Sequence, residues 1–444
     1  MRTPVADLIR RYEERDMARF HVPGHKGKER LGFERFDITE VKGADELYDA
    51  EGIIGESEQN ATALFGTKRS CYSTEGSSQC IRALLYLLLT HRPEGTAPVI
   101  VAARNVHKAF VYAAALLDFE VEWLWPEESD SLCRCVVTPE RLEEVLSARE
   151  TPPAAVYVTS PDYLGTLADV AGLAAVCHRH GTRLAVDNAH GAYLRFLTPS
   201  LHPIDLGADL CCDSAHKTLP VLTGGAYLHF NHTLPQEMVE DAKHALALFG
   251  STSPSYLILA SLDLCNRHLA EEAKEQLAAL RAAVDDCKAQ LSARGWQCEP
   301  SDPLRITLRA PEGIRGAALA DRLRERDIEC EYADESFVVL MVSASTRLSD
   351  LERLAEALGE SDRPPAALPA LPLPKGERAC SVRTALFSAR ERVAAADAVG
   401  RICGAPTVSC PPAIPIAVSG ERIGEAAAEL FAHYGVATVD VVCE

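Results

Sequence analysis

Apolar residues along this chain fall into short continuous runs separated by stretches with helical spacing. Pro98 to Ala102, Ala154 to Thr159, Leu184 to Val186 and Ala208 to Cys212 are too short for buried helices and read as strands. Ile81, Leu84, Leu85 and Leu88 recur at helical spacing, and Val170 to His180 reads as a helix stopped by Gly181. This alternation from about residue 98 to 230 predicts a mainly parallel sheet with crossover helices, an α/β fold. Residues 1–19 read as a charged helical lead-in. Beyond about residue 270 a long Ala-, Leu-, Glu- and Lys-rich helix leads to a smaller α+β region, with strand-like runs at Leu304–Leu308 and Phe337–Val342. Arg363 to Lys375 is too proline-rich for helix or central strand and reads as an extended linker. The expected organisation is an arm over 1–35, a large domain over 36–270, a small domain over 271–362, a linker over 363–376 and a C-terminal subdomain over 377–444.

Composition narrows the class of protein. The 444 residues are enough for a large core, and no apolar run reaches the roughly 20 residues that span a bilayer. No apolar signal core follows Met1, so a cytoplasmic protein without membrane partners is expected. The formal charge of −19, with no basic stripe, argues against nucleic acid and is compatible with cationic substrates. Fifteen cysteines are scattered without any Cys-x-x-Cys, and are read as reduced core residues, not as metal ligands or disulfides.

Candidate chemistry collects at strand ends. Asp187-Asn-Ala-His190 and Ser214-Ala-His216-Lys217 both follow predicted strands, where open α/β sheets gather their ligands. A lysine amine can bond an aldehyde and a carboxylate can keep a pyridine nitrogen protonated, the pair that pyridoxal phosphate requires. Taken singly, Asp187 reads as a turn cap and Lys217 as a solvated lysine. Gly76-Ser77-Ser78 opens a helix and offers N–H groups and hydroxyls to a phosphate, although a simple serine cap would look the same. His107 follows the strand that ends near Ala102, and Ser251-Thr252-Ser253-Pro254 reads as a helix start.

As a whole these runs resemble the prokaryotic ornithine/lysine/arginine decarboxylase family of fold-type I, aspartate-aminotransferase-like enzymes. The similarity rests on Phe20-His-Val-Pro-Gly-His-Lys26, Asp37-Ile-Thr-Glu40, Arg104-Asn-Val-His-Lys108, Ser160-Pro-Asp-Tyr-Leu-Gly165, the Asp187–His190 and Ser214–Leu219 runs, and Cys410-Pro-Pro-Ala-Ile-Pro415. It implies pyridoxal phosphate as cofactor, with Lys217 bonded to it, Asp187 at the pyridine nitrogen, His107 stacked on the ring and His190 near the ring hydroxyl. It further implies Gly76, Ser77, Ser78 and Ser214 at the phosphate, and His216 beside cofactor and substrate. Ser251 and Thr252 would reach the phosphate of a neighbouring subunit, which makes the expected unit a homodimer or larger. The implied reaction is decarboxylation of lysine, arginine or ornithine, of the kind that feeds polyamine biosynthesis. Another reaction on the same cofactor, transamination or elimination, and cofactor binding without turnover are the alternatives. Glu75, Asp162, Gly224, Cys410 and Ala413 depart from the family pattern.

Overall fold

A computed structural model describes residues 1–15, 17–408 and 412–443; Cys410 and Pro411 of the C-terminal motif lie outside them. Seven strands alternate with helices: β1 Arg69–Ser73, β2 Ala97–Ala103, β3 Glu120–Leu124, β4 Pro153–Thr159, β5 Arg183–Asp187, β6 Leu210–Asp213 and β7 Ala226–Phe230. The pairs β2–β3, β2–β4 and β5–β6 are parallel, whereas β6–β7 and β1–β7 are antiparallel. The mainly parallel α/β reading therefore holds, with β1, β3 and β7 as strands that the apolar runs did not announce.

Two compact units share the chain. The first comprises Met1–Arg92, Arg183–Ala279 and Ser343–Ser345. Its strands follow the order β1-β7-β6-β5. The helix Ser77–Thr90 buries Ile81, Leu84, Leu85 and Leu88 completely, the stripe that its spacing predicts. Each such side chain contributes about 1.5–3 kcal/mol of apolar transfer free energy. The first helix, Pro4–Glu14, is anchored by one acid: Asp263 Oδ2 accepts from the N–H groups of Val5 and Ala6 at 2.9 and 3.0 Å. A carboxylate at a helix start satisfies orphan donors and the positive end of the dipole.

The second unit comprises Pro93–Thr182, Leu280–Val342 and Thr346–Glu444. Besides β4-β2-β3 it contains an antiparallel sheet of β8 Arg305–Arg309, β9 Tyr332–Ala333 and β10 Phe337–Met341, in the order β8-β10-β9. Both predicted strand runs are thus present; the predicted long helix is Ala273–Ala293, of which the residues from Leu280 onward belong to this unit. Residues 363–376 take no helix or strand, but they are tied down, with Ala366 N–H donating to Ala310 O at 2.9 Å and Leu371 N–H to Ser129 O at 2.8 Å. In the C-terminal segment, Arg104 donates to the carbonyls of Pro415 and Ile416 at 2.7 and 3.0 Å. Ala413 has φ 60°, a left-handed conformation in which glycine would carry no Cβ penalty. Its carbonyl accepts from Lys108 N–H at 2.9 Å, so the backbone contact at this departure persists at some conformational cost. Among the described residues no helix is long and apolar enough to cross a membrane.

Candidate active site

In the first unit the polar cluster is assembled from strand ends. β5 ends in Asp187 and β6 in Asp213, and Asp187 lies opposite Cys212 in their parallel register. After β5 the chain turns at once: Ala189 N–H donates to Asp187 Oδ1 at 3.2 Å, and Cys212 Sγ lies 3.7 Å from the same oxygen. Asp187 is 2% exposed, and a carboxylate so deeply buried must be matched by a cation or by donors. After β6, Ser214 precedes a single helical turn, Ala215–Thr218, that carries His216 and Lys217. Lys217 Nζ lies 2.7 Å from His190 Nε2, so the lysine and the histidine three residues past Asp187 meet directly. His216 Nδ1 lies 3.0 Å from Gly225 O; the carbonyl can only accept, so Nδ1 carries a proton.

The proposed phosphate loop lies beside this turn. Gly76, at φ 71°, caps the helix Ser77–Thr90, and a Cβ there would meet nothing nearer than His216 Cε1 at 4.0 Å. Ser214 Oγ donates to Ser77 Oγ at 2.8 Å, linking the lysine turn to the helix start. Hydroxyls and N–H groups at the N-terminus of a long helix form an anion seat. The donor set, amine, carboxylate, imidazoles and anion seat, fits an aldehyde-bearing aromatic phosphate.

Two departures from the family pattern gain a physical reason here. Gly224 sits at φ 101°, and a Cβ on it would stand 2.8 Å from Thr74 O, so a larger residue is excluded. Its carbonyl accepts from Gly76 N–H at 2.7 Å, and Gly225 O accepts from His216 N–H at 3.2 Å, so the Gly-Gly pair ties the phosphate loop to the lysine turn. Glu75 is exposed and accepts from Ser251 N–H. Sequence reasoning missed both ties; the adjacent glycines were the available signal. Ser251 and Thr252 are exposed, while the helix Tyr256–Glu271 is capped by Ser255, so neither residue is spent on the cap.

His107 belongs to the second unit, where it caps the helix Lys108–Leu117, with Ala109 N–H donating to His107 Nδ1 at 3.2 Å. In the same unit Asp162 is buried, and its Oδ1 accepts from Leu164 and Thr166 N–H at 2.9 Å each. Burial pushes its carboxyl up to about 6 despite these bonds and the charges of Arg134 and Arg305. This departure is a structural anchor of the turn that follows β4.

A family model described as Orn/Lys/Arg decarboxylase, major domain, matches residues 3–310. The chain belongs to this family. Pyridoxal phosphate is accordingly the cofactor, and the family's members are amino-acid decarboxylases. A Bacillus subtilis relative, the uncharacterized protein YaaO, is 30% identical over 451 residues, covering 95% of this decarboxylase-family chain and 92% of its own length. An arginine decarboxylase of Halalkalibacterium halodurans is 27% identical over 458 residues, covering 95% and 91%. The solved lysine decarboxylase LdcF of Francisella novicida has the same fold, with a TM-score of 0.81 at 16% identity over 99% of this chain and 81% of that one.

Proposed function

We propose that this family member removes the α-carboxylate of a basic amino acid, arginine, lysine or ornithine, releasing carbon dioxide and the corresponding amine. The observation that carries the reading is the pairing of Lys217 Nζ with His190 Nε2 at 2.7 Å, beside the strand end that bears the buried Asp187. Relatives named arginine decarboxylase, at 25–27% identity, favour arginine as the first substrate to try. In this reading Lys217 holds the cofactor through its amine, and Asp187 holds a proton on the pyridine nitrogen. Ser77, Ser78, Ser214 and the N–H groups behind Gly76 hold the phosphate. For His107 the support is the Arg104–Lys108 motif alone. Bound pyridoxal phosphate supplies the electron sink that makes loss of carbon dioxide possible. Lys217 as its ammonium, and His216 when its Nε2 carries a proton, are the groups that return a proton to Cα.

The working unit proposed is a homodimer or larger, in the cytoplasm, supplying amines of the polyamine class. Exposed Ser251 and Thr252 support sharing of the site, as does the arm, where Phe20 is 96% and Leu31 76% exposed. We retain the five-part division at residues 35, 270, 362 and 376 as the proposed domain plan. The test is to incubate the purified, cofactor-loaded protein with arginine, lysine, ornithine and neutral amino acids, measuring carbon dioxide and amine. Stoichiometric release of both from one basic amino acid is expected. A keto acid in their place would establish transamination, and no turnover of any amino acid would leave a cofactor-binding protein.

A further inference from the structure

On the opposite side of β6 from Cys212, which faces Asp187, four side chains converge in the interior of the first unit. Cys211 and Asp213 alternate onto one face of β6, and His229 on β7 stands directly opposite Cys211 in the antiparallel register. His202 arrives from the loop before β6. All four residues are 0% exposed. His202 Nε2 lies 3.1 Å from Asp213 Oδ2, Cys211 Sγ lies 3.9 Å from His202 Nε2, and Cys211 Sγ lies 4.0 Å from Asp213 Oδ1. His229 Nε2 stands 3.3 Å from Asp213 Oδ2, yet among the described residues it makes no geometrically sound hydrogen bond.

These distances, 3.1–4.0 Å, bracket those between donors on one metal ion. Two donors at about 2.0–2.3 Å from a common ion and at a tetrahedral angle stand roughly 3.3–3.7 Å apart. Among the described residues, His202, Cys211 and Asp213 form a group whose donor atoms all lie within 4.8 Å of one another, and His229 Nε2 stands 3.3 Å from the same carboxylate. Outer contacts orient the donors as they do around bound metals. Asn188 Nδ2 donates to Asp213 Oδ1 at 2.7 Å, and His229 Nδ1 lies 2.8 Å from Ser70 Oγ, which is 2.7 Å from Thr67 Oγ1. Phe65 packs 4.3 Å from the His229 ring and 5.6 Å from that of His202. Charge completes the argument: a divalent ion with one carboxylate, one thiolate and two neutral imidazoles is neutral overall, the arrangement that a dry interior tolerates.

We propose that His202, Cys211, Asp213 and His229 form a closed structural site for a divalent cation of the zinc class. A set of two nitrogens, one sulfur and one oxygen with no open position matches structural zinc and not magnesium or calcium. This revises the expectation, drawn from cysteine spacing, that no cysteine is a ligand. The ion ties β6, whose end carries Ser214 and Lys217, to β7 and to the loop of His202, and it stands independently of the reaction proposed above.

The test uses the whole cofactor-loaded protein, produced in zinc-supplemented medium without a chelating tag, exhaustively dialysed and submitted to elemental analysis. About one zinc per chain is expected, falling at least about five-fold in Cys211→Ser and in His202→Gln. Protein produced with cobalt(II) in place of zinc should show the visible bands of tetrahedral cobalt, to the red of the cofactor's absorption. This measurement on the parent protein decides the matter if the variants do not fold. Zinc below a tenth of the chain concentration, or no tetrahedral cobalt spectrum, overturns the proposal and leaves a hydrogen-bonded imidazole–carboxylate cluster only. Zinc retained at full occupancy in both folded variants overturns it as well.

Discussion

In the proposed site Lys217 and Asp187 carry opposite charges, and each charge can be removed by a single substitution. Lys217 Nζ is within bonding distance of His190, so truncation to alanine removes the amine and leaves the histidine and the strand ends in place. Lys217→Ala should lose the yellow, borohydride-reducible absorbance of the loaded protein. Retention of that absorbance, with borohydride labelling another lysine, would overturn the assignment. Asp187→Asn is the subtler change. The amide keeps an oxygen for Ala189 N–H and Cys212 Sγ, so the turn after β5 should fold, but its charge is gone. Turnover should fall by on the order of 10²-fold or more, with a smaller change in KM, because the carboxylate matters most where charge develops. Single-turnover rates near those of the parent would refute the role given to Asp187.

Elements hold these residues in place, and the turn after β4 shows how one departure from a family pattern is accommodated. Asp162 Oδ1 takes both N–H bonds, while Arg305, paired with buried Asp302 at 3.0 Å, donates to the carbonyls of Asp162 and Tyr163 at 3.0 and 2.9 Å. The folded carboxyl titrates near 6, above its ordinary 3.8, because burial disfavours its charged form. The native state therefore binds the extra proton between these values, and its stability falls as pH rises through that window. Asp162→Asn keeps the accepting oxygen and cannot ionise. It should unfold later than the parent at pH 7.5, by the equivalent of about 1–3 kcal/mol, and this advantage should vanish near pH 4. Unfolding midpoints at the two pH values, with cofactor in fixed excess, check this; an advantage that does not change with pH would refute it. The same contrast explains what was legible in the sequence. β4 and β5 are continuous apolar runs and were readable as such. β1, Arg-Ser-Cys-Tyr-Ser, is buried in four of its five positions, but its serines are satisfied by His229 and Gln79, partners that only the fold supplies. The contiguous Asp187–His190 and Ser214–Lys217 motifs could be read directly. The ties from Gly224 to Gly76 and from Ser251 to Glu75 join residues 148 and 176 positions apart and leave no local trace.

At the scale of the whole molecule, the open question is whether one chain completes its own site. A cofactor phosphate carries close to two negative charges, and the donors proposed for it within one chain are the helix start at Gly76 and the hydroxyls of Ser77, Ser78 and Ser214, two of which already bond each other. The protein's formal charge of −19 adds no general attraction for a phosphate, so specific donors must supply it. Ser251 and Thr252 are exposed, and Ser251 N–H is held by Glu75 of the same chain, which presents the loop at the surface beside Gly76. Two arrangements follow: the hydroxyls serve their own phosphate, or they project to that of a partner. Mixing separates them. A Lys217→Ala chain lacks the cofactor amine but has an intact loop; a Ser251→Ala/Thr252→Ala chain keeps Lys217 but lacks the loop hydroxyls. If the loop acts in trans, a mixed dimer contains one site with both Lys217 and an intact partner loop. Once each parent is shown to be folded, nearly inactive and exchanging subunits, an equimolar mixture in which half the molecules are mixed dimers should regain roughly a quarter of the parental activity. If the loop acts in cis, every site in the mixture lacks either Lys217 or its own hydroxyls, and the mixture should stay at the level of its parents.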